Sequence, residues 1–246
     1  ARHDADSVFG GVNTGAVGYG LALSEQWRAT ASVGTSFRAP TLFQRFSIYG
    51  SADLSAETSR NTELGLHRQS GPHSLDVTVY HNDVNNLISF VANTGTCPSN
   101  LGTGSGKGCY FNTAQARYKG ITIAAKQVFE GFTLRGSLDL EDPRDVQTGK
   151  LLGRRSTHHG LLALDTHVAG WLWGTEIQAY SQRYNENANT NYLPGYVLLN
   201  LTAEKKLTKD WKLLTRVDNA TDTQYQTATG YATAGRSLYV GLKWAL

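Results

Sequence analysis

Several short stretches carry residue types that could do chemistry. TGSGKG at 103–108 has the look of a phosphate cradle. It lacks the first Gly at the right spacing and a Ser or Thr after Lys107, and no helix follows it, so the phosphate reading fails. His158 and His159 could each ligate a metal, but neighbouring strand residues point to opposite faces and cannot share one ion. Cys97 and Cys109 flank a Gly/Ser-rich stretch, TCPSNLGTGSGKGCYF. That pattern is expected to form one disulfide and so to indicate an oxidising compartment; a zinc site would need further ligands nearby. Asp139 with His158 is the pair from which a rim-borne hydrolase would have to be built, an alternative kept only because barrel enzymes exist. RYNENANTNY at 183–192 offers Tyr184, Asn187, Asn189, Asn191 and Tyr192. Amide and phenol groups suit a neutral, hydrogen-bonding ligand, and they suit an exposed loop equally well.

The elements that must position these residues are strands. Alternation of period two runs through the chain, and long segments of helical period are absent. Eleven strands are expected, at 9–22, 28–37, 57–68, 73–91, 109–128, 131–141, 154–167, 171–183, 195–206, 211–219 and 234–246. In LDVTVY, Leu75, Val77 and Val79 share a face against Asp76, Thr78 and Tyr80. In the last strand Leu238, Val240, Leu242, Trp244 and Leu246 share one. A soluble sandwich would alternate in the same way. Mean hydropathy is −0.35, and no run of about 18 apolar residues occurs, which excludes a transmembrane helix but not a membrane barrel.

The connections separate the two. Short links (24–26, 69–72, 129–131, 168–170, 207–210) alternate with long ones (38–56, 92–108, 142–153, 184–194, 220–233). Short turns at one end and long loops at the other mark an outer-membrane barrel. All five Trp sit at the short-turn end: Trp27, Trp171, Trp173 and Trp211 follow short turns, and Trp244 reaches the same level by parity. This predicts an interfacial aromatic girdle. The opposite face should be a polar, lumen-side wall with Arg135, Asp139, Glu141, Glu176, Gln178, Gln182, Glu204, Arg216 and Asp218. The net charge of +3 is small and spread out and argues neither for nor against nucleic acid; there is no dense basic stripe, and no nucleic-acid partner is expected.

An odd count of eleven would leave two bare edges in lipid. Either a strand near Ala1 to Ser7 adds to it, or the chain is part of a larger barrel. There is no methionine, and Ala1-Arg2-His3 does not open a signal peptide, so the chain is expected to be a processed or excised piece.

FRAPTLFQ at 37–44, YGSADLSAETSRNTELGL at 49–66, VYHNDVNNLISF at 79–90, NTAQARYKGITIAA at 112–125, LLGRRSTHH at 151–159 and the terminal LLTRVDNATDTQYQTATGYATAGRSLYVGLKW resemble successive segments of TonB-dependent outer-membrane receptors. Ala220-Thr221 stands where that family usually has Leu-Phe. The resemblance covers nearly the whole chain. It implies an all-β transmembrane antiparallel barrel, with residues 1–246 supplying about eleven C-terminal strands of a 22-stranded plugged barrel. The plug, the TonB-contacting segment and the first barrel strands would lie outside this chain. Implied partners are outer-membrane lipid, TonB through the plug, and the barrel-assembly machinery through the last strand, where Leu246 replaces the usual Phe.

Within the family the resemblance is strongest to the cobalamin branch, which implies uptake of a corrinoid, with a ferric siderophore as the rival ligand. It also implies that Arg154 and Tyr231 contact ligand, and that no calcium site and no cofactor belong to these residues. The alternative outside the family is a free-standing twelve-stranded barrel such as an autotransporter pore. No enzymatic activity is expected.

Overall fold

The structure, a computed structural model, describes residues 1–92 and 108–244. The strands are β1 (Arg2–Asp6), β2 (Gly10–Thr14), β3 (Ala16–Ala22), β4 (Trp27–Arg38), β5 (Glu57–Ser70), β6 (His73–Ala92), β7 (Gly108–Phe129), β8 (Phe132–Asp145), β9 (His158–Val168), β10 (Trp171–Tyr180), β11 (Arg183–Tyr184), β12 (Tyr192–Leu193), β13 (Tyr196–Lys206), β14 (Trp211–Asp218) and β15 (Ser237–Trp244). One helix, α1 (Leu42–Phe46), lies in the loop after β4. Eleven strands form one antiparallel sheet in the order β15-β14-β13-β10-β9-β8-β7-β6-β5-β4-β3. Each joins its sequence neighbour, as a barrel wall requires. No described helix is long and apolar enough to cross a membrane, which says nothing about crossing by strands.

The expected strands are all present, with four corrections. The first, 9–22, is broken at Gly15: β3 enters the main sheet, while β2 pairs with β1 in a separate hairpin. Gly15 still ties the break to β4, since its carbonyl accepts from Thr35 N at 2.8 Å. The extra strand at the N-terminus therefore exists, but pairs outside the main sheet. Second, β8 runs to Asp145, past Pro143. Beyond the end of β9 pairing at Leu140↔His158, residues 150–152 bridge to this side of β8, and Pro143, which lacks an N–H, serves there as acceptor only, taking Leu152 N at 2.9 Å. Third, β9 starts at His158 rather than at 154. Fourth, the 184–194 loop contains the small β11–β12 hairpin.

Register fixes the faces. Leu64, Val79, Ile121 and Leu140 lie in one cross-strand row; Leu66, Val77, Ile123 and Leu138 form the next. This face is apolar and outward. The other face carries hydrogen-bonded polar pairs: Thr30 Oγ1 with His67 Nε2 (2.9 Å), His67 Nδ1 with Asp76 (2.7 Å), Thr122 donating to Asp139 (2.7 Å) and Arg135 donating to Asp165 (2.7 Å). All five Trp fall on the apolar face near the short turns, as expected. Trp211 pairs across the ladder with Trp244, Lys205 lies over Trp171, and Arg68 lies over Trp27.

The rim at FRAPTLFQ is built from charge and capping. Arg38 forks onto Glu57 at the last β4–β5 rung, and Glu57 also accepts Ile88 N at 2.7 Å. Pro40 then leaves the sheet, and Thr41 and Gln44 close a capping box that starts α1. Cys109 opens the long β6–β7 hairpin fully buried, and no free cysteine occurs among the described residues. Cys97 and Leu246 lie outside the described residues. The Cys97–Cys109 pairing stays a proposal, which peptide mapping without reductant tests; separate alkylated cysteines would end it.

Candidate functional site

At the long-loop end, three strand ends of the inner face raise aromatic rings to one level. Tyr180 and Tyr196 form the last rung of the β10–β13 ladder. Their rings stack 4.8 Å apart; His159 stacks on Tyr180 at 4.3 Å, and Tyr225 from the 219–236 loop lies tilted against Tyr196 at 4.3 Å. The result is a four-ring ladder. His159 Nε2 is buried and has no hydrogen-bond partner among the described residues.

Three arginines surround this ladder. Arg183 is 6% exposed; it donates to Ser156 Oγ (3.2 Å) and Gln226 O (2.8 Å) and lies over the Tyr196 ring at 5.2 Å. Arg155 lies 6.0 Å over Tyr118. Arg154 sits at φ 61, a left-handed conformation that costs a non-glycine residue about 1–2 kcal/mol. The β11–β12 hairpin holds it there, because Tyr184 O accepts Arg154 N at 2.6 Å. Arg154, Arg155, Arg183, His159, Tyr180, Tyr196 and Thr227 line a groove of about 300 Å³, with Glu141 as the acid among them. The cluster is net positive, aromatic and open to the long-loop side.

The Asn-rich loop does a different job from the one its composition first suggests. Asn189 accepts Leu151 N (2.9 Å) and donates to Leu151 O (2.8 Å); Asn187 accepts Gly153 N (2.7 Å). A Cβ on Gly153 would meet the Glu186 backbone at 2.8 Å, so only glycine fits there. Asn191 donates to Thr229, and Asn185 accepts Thr229 N. These amides staple three loops together beneath the arginines. Glu186 closes its own turn by accepting Thr190 N, Thr190 Oγ1 and Asn191 N at 2.8–3.0 Å. Burial pushes the Glu186 carboxyl up, but these donors together outweigh it and hold it below the usual carboxylate range.

Of the residues singled out from sequence, Arg154 reaches the groove. Tyr184 supports it through its backbone, Asn191 acts as a staple, and Tyr192 is exposed on β12. Tyr231 is 69% exposed on the 219–236 loop and is not among the groove's lining residues. Arg155, Arg183, Tyr180, Tyr196 and Tyr225 are missed by sequence reasoning; the paired arginines of GRRST and the tyrosines at successive strand ends are the signals that could have found them. The Asp139–His158 pair does not form. Asp139 stands opposite His159 and lies 3.5 Å from its Nδ1, while His158 is on the other face. No cluster of three or more metal-ligating residues occurs among the described residues.

Residues 1–220 match the family described as TonB dependent receptor-like, beta-barrel. Three solved structures share the fold. The copper transporter OprC superposes with a TM-score of 0.77 at 17% identity, over 94% of this chain and 39% of that one. The ferric enterobactin receptor PfeA of Pseudomonas aeruginosa, in complex with enterobactin, gives 0.76 at 18%, over 98% and 42%. The siderophore receptor PirA of Acinetobacter baumannii gives 0.75 at 17%, again over 98% and 42%. The chain thus spans about two fifths of the length of these structures.

Proposed function

The chain belongs to the TonB-dependent receptor β-barrel family, and on that premise we propose that it forms the wall and ligand-capture loops of an outer-membrane receptor for a ferric siderophore. The family works in the outer membrane of Gram-negative bacteria in partnership with TonB. The carrying observation is charge: Arg154, Arg155 and Arg183 meet Glu141 at one aromatic mouth. An iron chelate of catecholate type carries several negative charges on aromatic rings. Guanidinium forks match its oxygens, and the tyrosine ladder offers rings for it to pack against. A corrinoid such as cyanocobalamin carries no net charge and gains little from three cations. The corrinoid reading also leaned on Tyr231, which lies apart from the groove. PfeA and PirA bear siderophore-receptor names, which agrees with this choice, although at such identity they speak for the fold alone.

In this reading the chain is the C-terminal part of a larger plugged barrel. The outer strands β3 and β15 have no further partner among the described residues, and an unpaired edge in lipid leaves N–H and C=O groups unsatisfied. The inner wall fits a plug. Arg135, Asp165, Glu176, Asn200, Arg216 and Asp218 line a polar groove lower down. Capture at the arginine mouth would come first, and TonB-driven rearrangement of the plug would then release the ligand inward.

Equilibrium binding to the purified full-length receptor tests the proposal. A ferric catecholate should bind at micromolar concentration or below, and cyanocobalamin should not. Binding of cyanocobalamin alone would overturn the siderophore reading and restore the corrinoid one.

A further inference from the structure

A second groove, of about 640 Å³, lies on the opposite, outer face. Its floor is apolar: Leu64, Val79, Ile121 and Leu140. His158 closes this row beside Leu140, and the row above carries His81, Lys119 and Asp142. One row higher, register aligns Arg60 with Asp83, Asp83 with Arg117, and Arg117 with Arg144. Parity places both charged rows on the same face as the leucines.

These charges do not cancel. Asp83 is shared by Arg117 (2.8 Å) and His81 (3.1 Å), and Asp142 by Arg144 (2.6 Å) and Lys119 (3.3 Å). Arg60 adds a further cation without an ion pair among the described residues. Guanidinium and ammonium hydrogens are therefore left over for an external anion. Depth says which anion. The stacked Phe129 and Phe132 mark the short-turn edge of the apolar band. From Phe129 up to Lys119 along β7, a rise of about 3.4 Å per residue and a tilt of about 40° give roughly 26 Å, the height of the apolar band of such barrels (about 25 Å). The charged rows begin where acyl chains end and phosphates start.

We propose that this face holds a phosphorylated, acylated glycolipid of the outer leaflet, with an acyl chain in the apolar groove and a phosphate against Arg117, Lys119 and Arg144. Arginine forks and a lysine point charge are the groups suited to a phosphate. The site is on the outer wall and independent of the ligand mouth, so it rests only on the membrane-embedded reading of the barrel.

Native mass spectrometry of the full-length receptor in nonionic detergent reads it directly. The probes are hexa-acylated lipid A bearing its phosphates, the same lipid after phosphatase treatment, and inorganic phosphate as competitor. Wild-type receptor should bind the phosphorylated lipid at least about tenfold more tightly than the dephosphorylated one. The triple variant R117Q/K119Q/R144Q should lose that preference, whereas K205Q, on the outer face at the opposite edge, should keep it. Retained ferric-chelate binding by the triple variant shows that its barrel is intact; should it not fold, the phosphatase comparison on wild-type receptor decides alone. Equal binding of the two lipids would overturn the proposal by reducing the groove to ordinary apolar contact. Displacement by millimolar inorganic phosphate would overturn it in favour of a simple ion site. Failure here leaves chelate binding, measured separately, untouched.

Discussion

Arg155 and Arg183 illustrate how two residues of one type divide the work of a site. Arg183 is buried and spends its hydrogens on Ser156 and Gln226, so its removal would loosen the loops as well as the charge. Arg155 is exposed on the groove wall, and it is the better probe of ligand charge. Arg155→Gln should weaken a ferric catecholate roughly ten- to hundredfold, the worth of one charge-assisted hydrogen bond, and leave a neutral chelate unchanged. Equilibrium titration of the full-length variant checks this; a loss of less than about twofold would remove Arg155 from the site. Arg154 was legible because its motif is, but Tyr180, Tyr196 and Tyr225 were not. They lie far apart in sequence, and only the β10–β13 register and the returning 219–236 loop bring them together. The Asp139–His158 pair failed for the same reason at the smallest scale, one residue of parity.

The strands were readable because alternation and turn length are local properties. The loops were not, because their order depends on side chains reaching across more than thirty residues, as from Asn187 to Gly153 and from Asn189 to Leu151. Composition gave asparagines; the contacts gave staples. The Glu186 turn makes this testable. Its carboxyl titrates lower in the folded loop than its usual value of 4.5. A depressed carboxylate contributes stability above its unfolded pKa and loses it as pH falls through the folded one. Amides in 185–191 should therefore exchange with solvent faster, after correction for intrinsic rates, once the pH drops below about 4.5, and Glu186→Gln should flatten the dependence. Identical protection at neutral pH and at about pH 3 would show that the turn does not depend on this carboxylate.

The whole molecule has two chemically opposite faces, and the membrane is the solvent that explains the outer one. Ile123 sits in the middle of the outer band, in one row with Leu66, Val77 and Leu138, about 15 Å above Phe129 by strand rise and tilt. Ser137, one residue from Leu138, faces inward, opposite Ala124. The two positions are neighbours in space but face different media. An arginine at Ile123 must enter hydrocarbon near the midplane, which costs a barrel about 2–4 kcal/mol. An arginine at Ser137 enters a polar wall that already carries Arg135 and Asp165. Ile123→Arg should therefore sharply reduce the heat-modifiable, folded fraction of full-length receptor in outer membranes, while Ser137→Arg leaves it near wild type. By the same rise and tilt, Lys119 and Arg117, four to six residues further along β7, fall beyond the hydrocarbon, where an outward cation costs little. If both substitutions were equally harmless, the apolar face would not be lipid-facing, and the free edges of β3 and β15 would have to be explained by a partner other than further barrel strands.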